Sequence, residues 1–303
     1  MSRYNYTIFI FAIAMQTEAG CRGANAVMQQ RLLKERIDGV DPQFGGGGIT
    51  SAVAPVVAAD AVCAVVILVA VRQQSRVWGY SSFLLRRFAL AKAPGMRFFK
   101  MLGSGYEGGF GLKPSASRQA MFCVFDSAAE ADTFVASHRV VAAYRERAAE
   151  FFSVRLSVLS SRGSWSGRQP LAVGVGTAAS PAVAGPVAAL TRASIRPLAA
   201  VAFWRHAPAA ERALGQAPGC LLAVGLGEAP WLRQATFSIW ESAAAMDAYA
   251  RRGAHGQAIQ AAAGGRYFSE SMFTRFTPSA AEGNWCGREI VLPSAAPACA
   301  GQG

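Results

Sequence analysis

Two stretches of the chain, "RQAMFCVFDSAAEADTF" from Arg118 to Phe134 and "RQATFSIWESAAAMDAY" from Arg233 to Tyr249, state one pattern twice. Eight of the seventeen positions are identical, and four more exchange like for like: Val124 with Ile239, Phe125 with Trp240, Asp126 with Glu241 and Phe134 with Tyr249. The repeat extends towards the N-terminus of each copy. "APGMRFFKMLG" from Ala93 matches "APGCLLAVGLG" from Ala217, an Ala-Pro-Gly turn that feeds a short apolar strand ending in glycine. The spacing to the next motif is nine residues longer in the first copy, and the stretch "GSGYEGGFGLKPSAS" is expected to be the loop that makes the difference.

Each copy then reads as strand, helix, strand, strand, helix, strand. In the first, the β-branched run "VVILVAVR" (Val65 to Arg72) precedes a helix with apolar Trp78, Leu84, Leu85 and Phe88, which Pro94 and Gly95 end. Strands "RFFKMLG" and "QAMFCVF" follow. Ser127 and Glu130 form a capping box for the helix "AAEADTFVASHRVVAAYRERA", and "SVRLSVL" closes the copy. The second copy runs "VAALTRASI", "AAVAFWRHAPAAERAL", "CLLAVGLG", "RQATFSIW", "AAAMDAYARRGAHGQAIQAA" and "SMFTRF". This is the order of the ferredoxin-like βαββαβ unit. One such unit covers a single face of its sheet with helices, so a second copy is needed to cover the other. The expected fold is therefore α+β: tandem ferredoxin-like repeats forming an intramolecular dimeric α/β barrel. Residues 63–168 make the first half, 169–184 a linker, 185–278 the second half and 279–303 a disordered tail.

Residues 1–62 are expected to be an extension outside the fold, disordered or the product of an upstream start codon. "EAGC" at Cys21 has the outline of a lipoprotein cleavage site, but Glu18 stands where an aliphatic residue belongs. The apolar run from Ala52 to Val71 has the length of a membrane span, yet it holds Asp60 near its middle and Pro55 near its start. It is read as no span. The expected location is cytoplasmic.

With 303 residues and 52% apolar composition the chain can bury a large core. Its net charge of +12 suits nucleic acid or anionic lipid equally, since both attract cations by the same Coulombic force. No RNP, zinc-finger or helix-turn-helix signature accompanies the charge, which argues against nucleic acid. The six cysteines form no CxxC pair and read as free thiols of a reducing compartment. No GxSxG elbow, P-loop or HExxH is present, and the glycine-rich "GSGYEGG" at Gly103 follows a strand without a phosphate-binding helix start, so it is read as a loop.

In a tandem repeat, polar residues that differ between the copies mark what the scaffold does not require. Met121, Cys123 and Phe125 on one face of a first-copy strand become Thr236, Ser238 and Trp240 in the second, so that face has turned partly polar. It is either a pocket wall or a more solvated strand. Of the three histidines, His255 lies between Gly253 and Gly256 in the last helix, where missing side chains let a flat ligand approach the backbone. This makes His255 the candidate axial ligand of a haem, with His206 the alternative. His138 is two residues out of register with His255, so the site is not duplicated. Arg192, Arg196, Arg233, Arg251 and Arg252 are candidates to hold haem propionates, for which guanidinium groups are well shaped.

Four second-half motifs carry a family resemblance: "SSRGSWSG" (Ser160 to Gly167), "GPVAALTRASIRP" (Gly185 to Pro197), "GLGEAPWLRQATFSIW" (Gly225 to Trp240) and "AHGQAI" (Ala254 to Ile259). On these motifs the stretch from Val65 to Thr277 resembles the spheroidene monooxygenase family of purple-bacterial carotenoid biosynthesis. The resemblance implies insertion of oxygen from O2 at C-2 of an acyclic methoxylated carotenoid. Two hydroxylations and loss of water would give a ketone, as in spheroidene to spheroidenone. It also implies haem (iron) as cofactor, reduced ferredoxin as electron donor, and peripheral contact with the inner photosynthetic membrane. On this reading His255 holds the iron, Arg192, Arg233 and Arg252 bind the cofactor, and Thr236 and Ser238 act at the pocket. Trp165, Trp231 and Trp240 would shape an apolar channel. A haem-free lipid- or carotenoid-binding protein, or a cofactor-independent oxygenase on the same barrel, stays open beside it.

Overall fold

The computed structural model describes residues 61–106, 113–171, 185–201, 214, 216–229, 232–251 and 267–293. His206, Trp231, Arg252, His255 and the extension up to residue 60 lie outside the described residues. The first half contains β1 (Cys63–Val71), α1 (Arg76–Leu85), α2 (Arg87–Leu90), β2 (Met96–Gly105), β3 (Pro114–Phe125), α3 (Ala128–Ser137), α4 (Arg139–Arg147) and β4 (Ala148–Gly163). The second contains β5 (Val187–Ile195), β6 (Cys220–Ala229), β7 (Arg233–Trp240), α5 (Ala243–Arg251) and β8 (Phe268–Trp285), with the short β9 (Arg288–Glu289) after it.

All strand pairs are antiparallel, in the order β4-β1-β3-β2-β6-β7-β5-β8, and β8 returns to β4 to close an eight-stranded barrel. Each half contributes four strands in the same internal order, so the duplicated phrase is one strand and one helix built twice. The seams differ. β2 meets β6 through two pairs, Gly103 with Gly227 and Ser104 with Leu226, where the Ser104 hydroxyl donates to the Gly225 carbonyl at 2.8 Å. The β4–β8 seam is far longer, from Phe152 opposite Gly283 to Gly163 opposite Met272. The two Ala-Pro-Gly turns are equivalent in detail: Gly95 and Gly219 have φ of +63° and +77°, and their carbonyls accept from Asp126 N–H at 3.0 Å and Glu241 N–H at 2.9 Å. A side chain there would be strained, and it would also run into Glu130 or Ala245.

Strand alternation divides the apolar residues into two sets. Inward residues such as Val66, Leu68, Phe122, Val124, Leu190, Val224, Phe237 and Phe276 fill the barrel. Outward residues of the first half (Val65, Ile67, Met121, Cys123, Phe125) pack against Phe134, Val140, Val141 and Tyr144 of α3 and α4. Outward Val187, Ala189, Trp240 and Phe273 of the second half pack against Met246 and Ala250 of α5. Val65 to Val71, from the apolar run long enough for a span, are strand: β1 sits between β3 and β4. Among the described residues no helix is long and apolar enough to cross a membrane.

The structure corrects the sequence reading at four places. The long first-half helix is two helices, because His138 turns extended and its ring Nδ1 accepts from Val140 N–H at 3.3 Å, capping α4. Much of the expected glycine-rich loop is strand: β2 and β3 run on as a hairpin, with Tyr106 N–H donating to the Lys113 carbonyl at 2.7 Å. Residues 279–293, expected in a disordered tail, complete β8 and cap the barrel, with Trp285 and Ile290 buried in its core. Leu171, placed in the linker, is buried in the same core.

Candidate functional site

The register of the two halves can be compared pair by pair. In the first, Ile67 lies opposite Met121 and Val65 opposite Cys123; in the second, Thr191 lies opposite Thr236 and Ala189 opposite Ser238. On the other flank, Phe99 opposite Cys123 and Met101 opposite Met121 become Ala223 opposite Ser238 and Gly225 opposite Thr236. At these positions side chains that seat helices in the first half give way to smaller or hydroxylic ones, while Cys63 and Phe125 at the strand ends become the larger Val187 and Trp240. The outcome is a low floor on the outer face of β5, β6 and β7, bounded by Trp240.

Thr236 and Ser238, singled out in the sequence, share this floor and are buried. Trp240 Nε1 donates to Ser238 Oγ at 3.0 Å, which fixes the indole as the end wall, and its ring lies 5.3 Å from that of Tyr249. Thr191 is the residue that sequence reasoning missed. It is only 2% exposed, and its hydroxyl has no hydrogen-bond partner among the described residues. A buried hydroxyl without a partner costs free energy, so Thr191 calls for a partner that a water or a ligand atom would supply. The signal was available: aligning the first strands of the two halves puts Thr191 where Ile67 stands.

The other candidates separate. Arg192 follows Thr191 and so points the opposite way, into the barrel, where it is 2% exposed. Its guanidinium is engaged by Glu270, with Glu228 at 3.7 Å, and lies 5.8 Å from the Trp165 ring. Arg233 is exposed at the start of β7, and Arg196 is exposed with Nε donating to the Phe268 carbonyl at 3.1 Å. Trp165 belongs to the barrel core, stacked on Phe122 at 5.3 Å. Arg252, Trp231 and both histidines proposed for iron are outside the described residues, as is the side chain of Arg251.

Arg192 is part of a second polar assembly that closes one end of the barrel. Trp165 Nε1 donates to Glu228, which also accepts from Lys100 Nζ at 2.8 Å; Lys100 in turn donates to Ser166 Oγ at 2.8 Å. Glu270 accepts from Gly167 N–H at 2.7 Å, Ser166 N–H at 3.1 Å and the Ser164 hydroxyl at 2.8 Å, besides Arg192. Burial alone would raise the Glu270 pKa; the hydrogen bonds from Gly167 and Ser164 and the Arg192 charge outweigh it and hold the carboxyl at about 2. Three of the four motifs that carried the resemblance meet here, through Ser164 to Gly167, Arg192 and Glu228. Glu270 and Lys100 gave no sequence signal beyond being charges in apolar strands. Because every carboxylate in this assembly is paired, it reads as a brace for the 164–167 turn.

Chemically, the floor offers hydroxyl groups and apolar walls but no nucleophile paired with a base. It suits holding a large apolar ligand against a few hydrogen bonds. Gly225, Ala189 and Ala223 carry less side chain than Met101, Val65 and Phe99 at the same register, and any room for a flat ligand on this face would come from that difference. Among the described residues no cluster of three or more His, Cys, Asp or Glu forms a metal site.

The chain is 54% identical over 225 residues to a spheroidene monooxygenase of Rubrivivax gelatinosus, pairing 74% of this chain with 85% of that one. It is 38% identical over 213 residues to the spheroidene monooxygenase of Rhodobacter capsulatus, pairing 70% with 88%. Among solved structures it is similar to an aldoxime dehydratase, with a TM-score of 0.47 and 11% identity over 72% of this chain and 81% of that one. No family model matches.

Proposed function

This chain belongs to the spheroidene monooxygenase family, and on that premise we propose that it is a carotenoid monooxygenase whose active site is the low outer floor of the second half. The substrate is an acyclic methoxylated carotenoid and the product its C-2 ketone, formed by two successive hydroxylations. Each takes one O2, two electrons and two protons, puts one oxygen atom into the substrate and releases the other as water. The resulting geminal diol loses water to give the ketone. Reduced ferredoxin supplies the electrons, and the basic chain is suited to an acidic donor. The protein works in the cytoplasm in peripheral contact with the inner photosynthetic membrane, where such a substrate dissolves.

The observation that carries the reading is the replacement of Ile67, Met121, Cys123, Phe99 and Met101 by Thr191, Thr236, Ser238, Ala223 and Gly225 on otherwise equivalent strands. Haem bound there would supply O2 activation. In this chain His255 would hold its iron and Arg252 a propionate; Arg192 is committed to the barrel end, and Arg233 shares the barrel-facing parity of Ala235 and Phe237 on β7. The small residues of β5 and β6 let the ligand approach the sheet. Trp240, with Met246 and Phe273, would keep bulk water out, and the Thr191, Thr236 and Ser238 hydroxyls would orient oxygen atoms by hydrogen bonding. None of these groups needs to change protonation state.

The test is the visible spectrum of full-length protein expressed with haem precursor, before and after dithionite, followed by ferredoxin-driven turnover of spheroidene. A Soret band stoichiometric with protein, lost in His255→Ala, and formation of spheroidenone are expected. Turnover by a protein that remains colourless after haem is added would favour the cofactor-independent oxygenase. Carotenoid binding without turnover would favour the haem-free binding protein.

A further inference from the structure

Helix α1 is oriented against the usual rule for a helix that covers a sheet. The residues it buries are Gly79 and Ser82. Gly79 sits so close to β1 that an added Cβ would lie 3.2 Å from Val71 Cγ2. Trp78 packs inward, its ring 5.0 Å from that of Tyr144, but four other apolar residues of α1 point away: Val77, Tyr80, Leu84 and Leu85 are 83%, 55%, 62% and 66% exposed, and Phe88 in α2 is 65% exposed. Arg86 between the helices is itself in the right-handed helical conformation, so the path is nearly continuous. The spacing i, i+3, i+7, i+8 and i+11 gathers these side chains into one stripe. A continuous exposed stripe of this kind marks a contact with something apolar.

The charges around it narrow the choice. From Arg72 to Lys100, both included, there are seven basic residues, and there is no Asp or Glu from 61 to 106. Arg76, Arg87 and Lys92 flank the stripe, are exposed, and make no ion pair with a carboxylate among the described residues. The Arg87 guanidinium lies 5.5 Å from the Phe88 ring, as in a cation that follows its apolar neighbour to an interface. Beside the stripe is a cleft of about 330 Å³ between α1 and α4, with Arg86 and Arg139 in its lining. A second copy of this chain, docked face to face, would bring the two basic patches together and be repelled. An anionic bilayer satisfies both features at once, taking the apolar side chains at the acyl boundary and the cations at its phosphates.

We propose that α1 and α2 form an interfacial docking face for an anionic lipid bilayer. Val77, Leu84, Leu85 and Phe88 enter the headgroup boundary, and Arg76, Arg87 and Lys92 meet lipid phosphates. The proposal rests on the carotenoid reading for its purpose, delivery of a membrane-dissolved substrate, but its test involves no carotenoid, so the two can fail separately.

The experiment is flotation of the full chain with vesicles of phosphatidylcholine, alone or mixed with phosphatidylglycerol. The wild type is expected to float with the mixed vesicles, less so as salt is raised, and weakly with phosphatidylcholine alone. The triple variant Leu84→Glu, Leu85→Glu, Phe88→Glu should lose partitioning by about tenfold or more. Arg87→Gln with Lys92→Gln should weaken chiefly the binding to mixed vesicles. All substituted side chains are exposed, so circular dichroism and melting should be unchanged; if the triple variant melts early, Val77→Ser with Leu84→Ser takes its place. A wild type that floats with neither vesicle overturns the proposal, as does flotation that survives the apolar substitutions. Concentration-dependent dimers that these substitutions dissociate, with no vesicle binding, would overturn it in favour of self-association.

Discussion

Glu270 shows how one side chain can tie a turn to a barrel. Its oxygens accept from two backbone N–H groups, one hydroxyl and one guanidinium, all of which favour the ionised form. Its carboxyl, ordinarily near 4.5, is held at about 2 in the folded chain. A depressed folded-state value means that the stabilisation is fully present above the unfolded value and is lost as pH falls through the folded one. Glu270→Gln should therefore melt below the wild type from neutral pH down to about 5, with the gap closing as pH drops from about 4.5 towards 2. Thermal melts of the two proteins across that range check it, and a gap that does not change with pH would remove the ion pair from the account. The sequence marked Arg192 only as one of several arginines suited to a cofactor's carboxylates, and its place in the barrel brace was not legible. Its partner lies 78 residues further along the chain, and only the barrel brings them together.

At the scale of elements, β8 does more than close a repeat. Residues beyond the expected end of the second half at 278 continue along β4, through Ser279 opposite Arg155, Glu282 opposite Ser153 and Gly283 opposite Phe152. Trp285 then turns into the barrel core beneath the guanidinium of Arg118, 4.9 Å from its ring. Trp285→Ala should cost about 3–5 kcal/mol and lower the melting temperature by on the order of 10 °C. An unchanged melt would mean that this segment does not cap the barrel in solution. The same element shows where sequence reading stops. The strands inside the duplicated phrases were found because each had a twin, and the Ser127 cap because its spacing is local: Ser127 Oγ accepts from Glu130 N–H at 3.3 Å. The extension of β8 has no twin to reveal it, and "PSAAEGNW" has the glycine and small residues of a tail. His138 likewise lies inside an unbroken helical pattern, and the break comes from its own side chain capping the next helix. For α1 the pattern correctly gave a helix with apolar residues, but periodicity does not say whether the stripe faces the sheet or the outside.

For the molecule as a whole, duplication separates what a barrel of this kind requires from what one half has added. The inward faces of the two halves are alike, with Phe122 and Val124 of β3 answered by Phe237 and Ile239 of β7, because both fill one interior. The outward faces diverge: Ile67, Val65, Met121 and Cys123 under α3 and α4 are answered at the same register by the smaller or hydroxylic Thr191, Ala189, Thr236 and Ser238. The divergence can be reversed. Ala189→Val, Thr191→Ile, Thr236→Met and Ser238→Cys together restore on β5 and β7 the side chains that the first half already accommodates at the same register. Added bulk costs stability where the neighbours cannot yield, about 1–3 kcal/mol in a packed site. It costs less over a floor where the space belongs to a ligand, and burying apolar groups in place of hydroxyls offsets part of it. The fourfold variant should therefore fold and melt within a few degrees of the wild type, yet lose the Soret band or carotenoid binding and with it turnover. Circular dichroism, melting and the visible spectrum of the same preparation decide the matter. A variant that folds and still binds both ligands would show that the floor of the second half is plain scaffold, and the site would have to be sought inside the barrel.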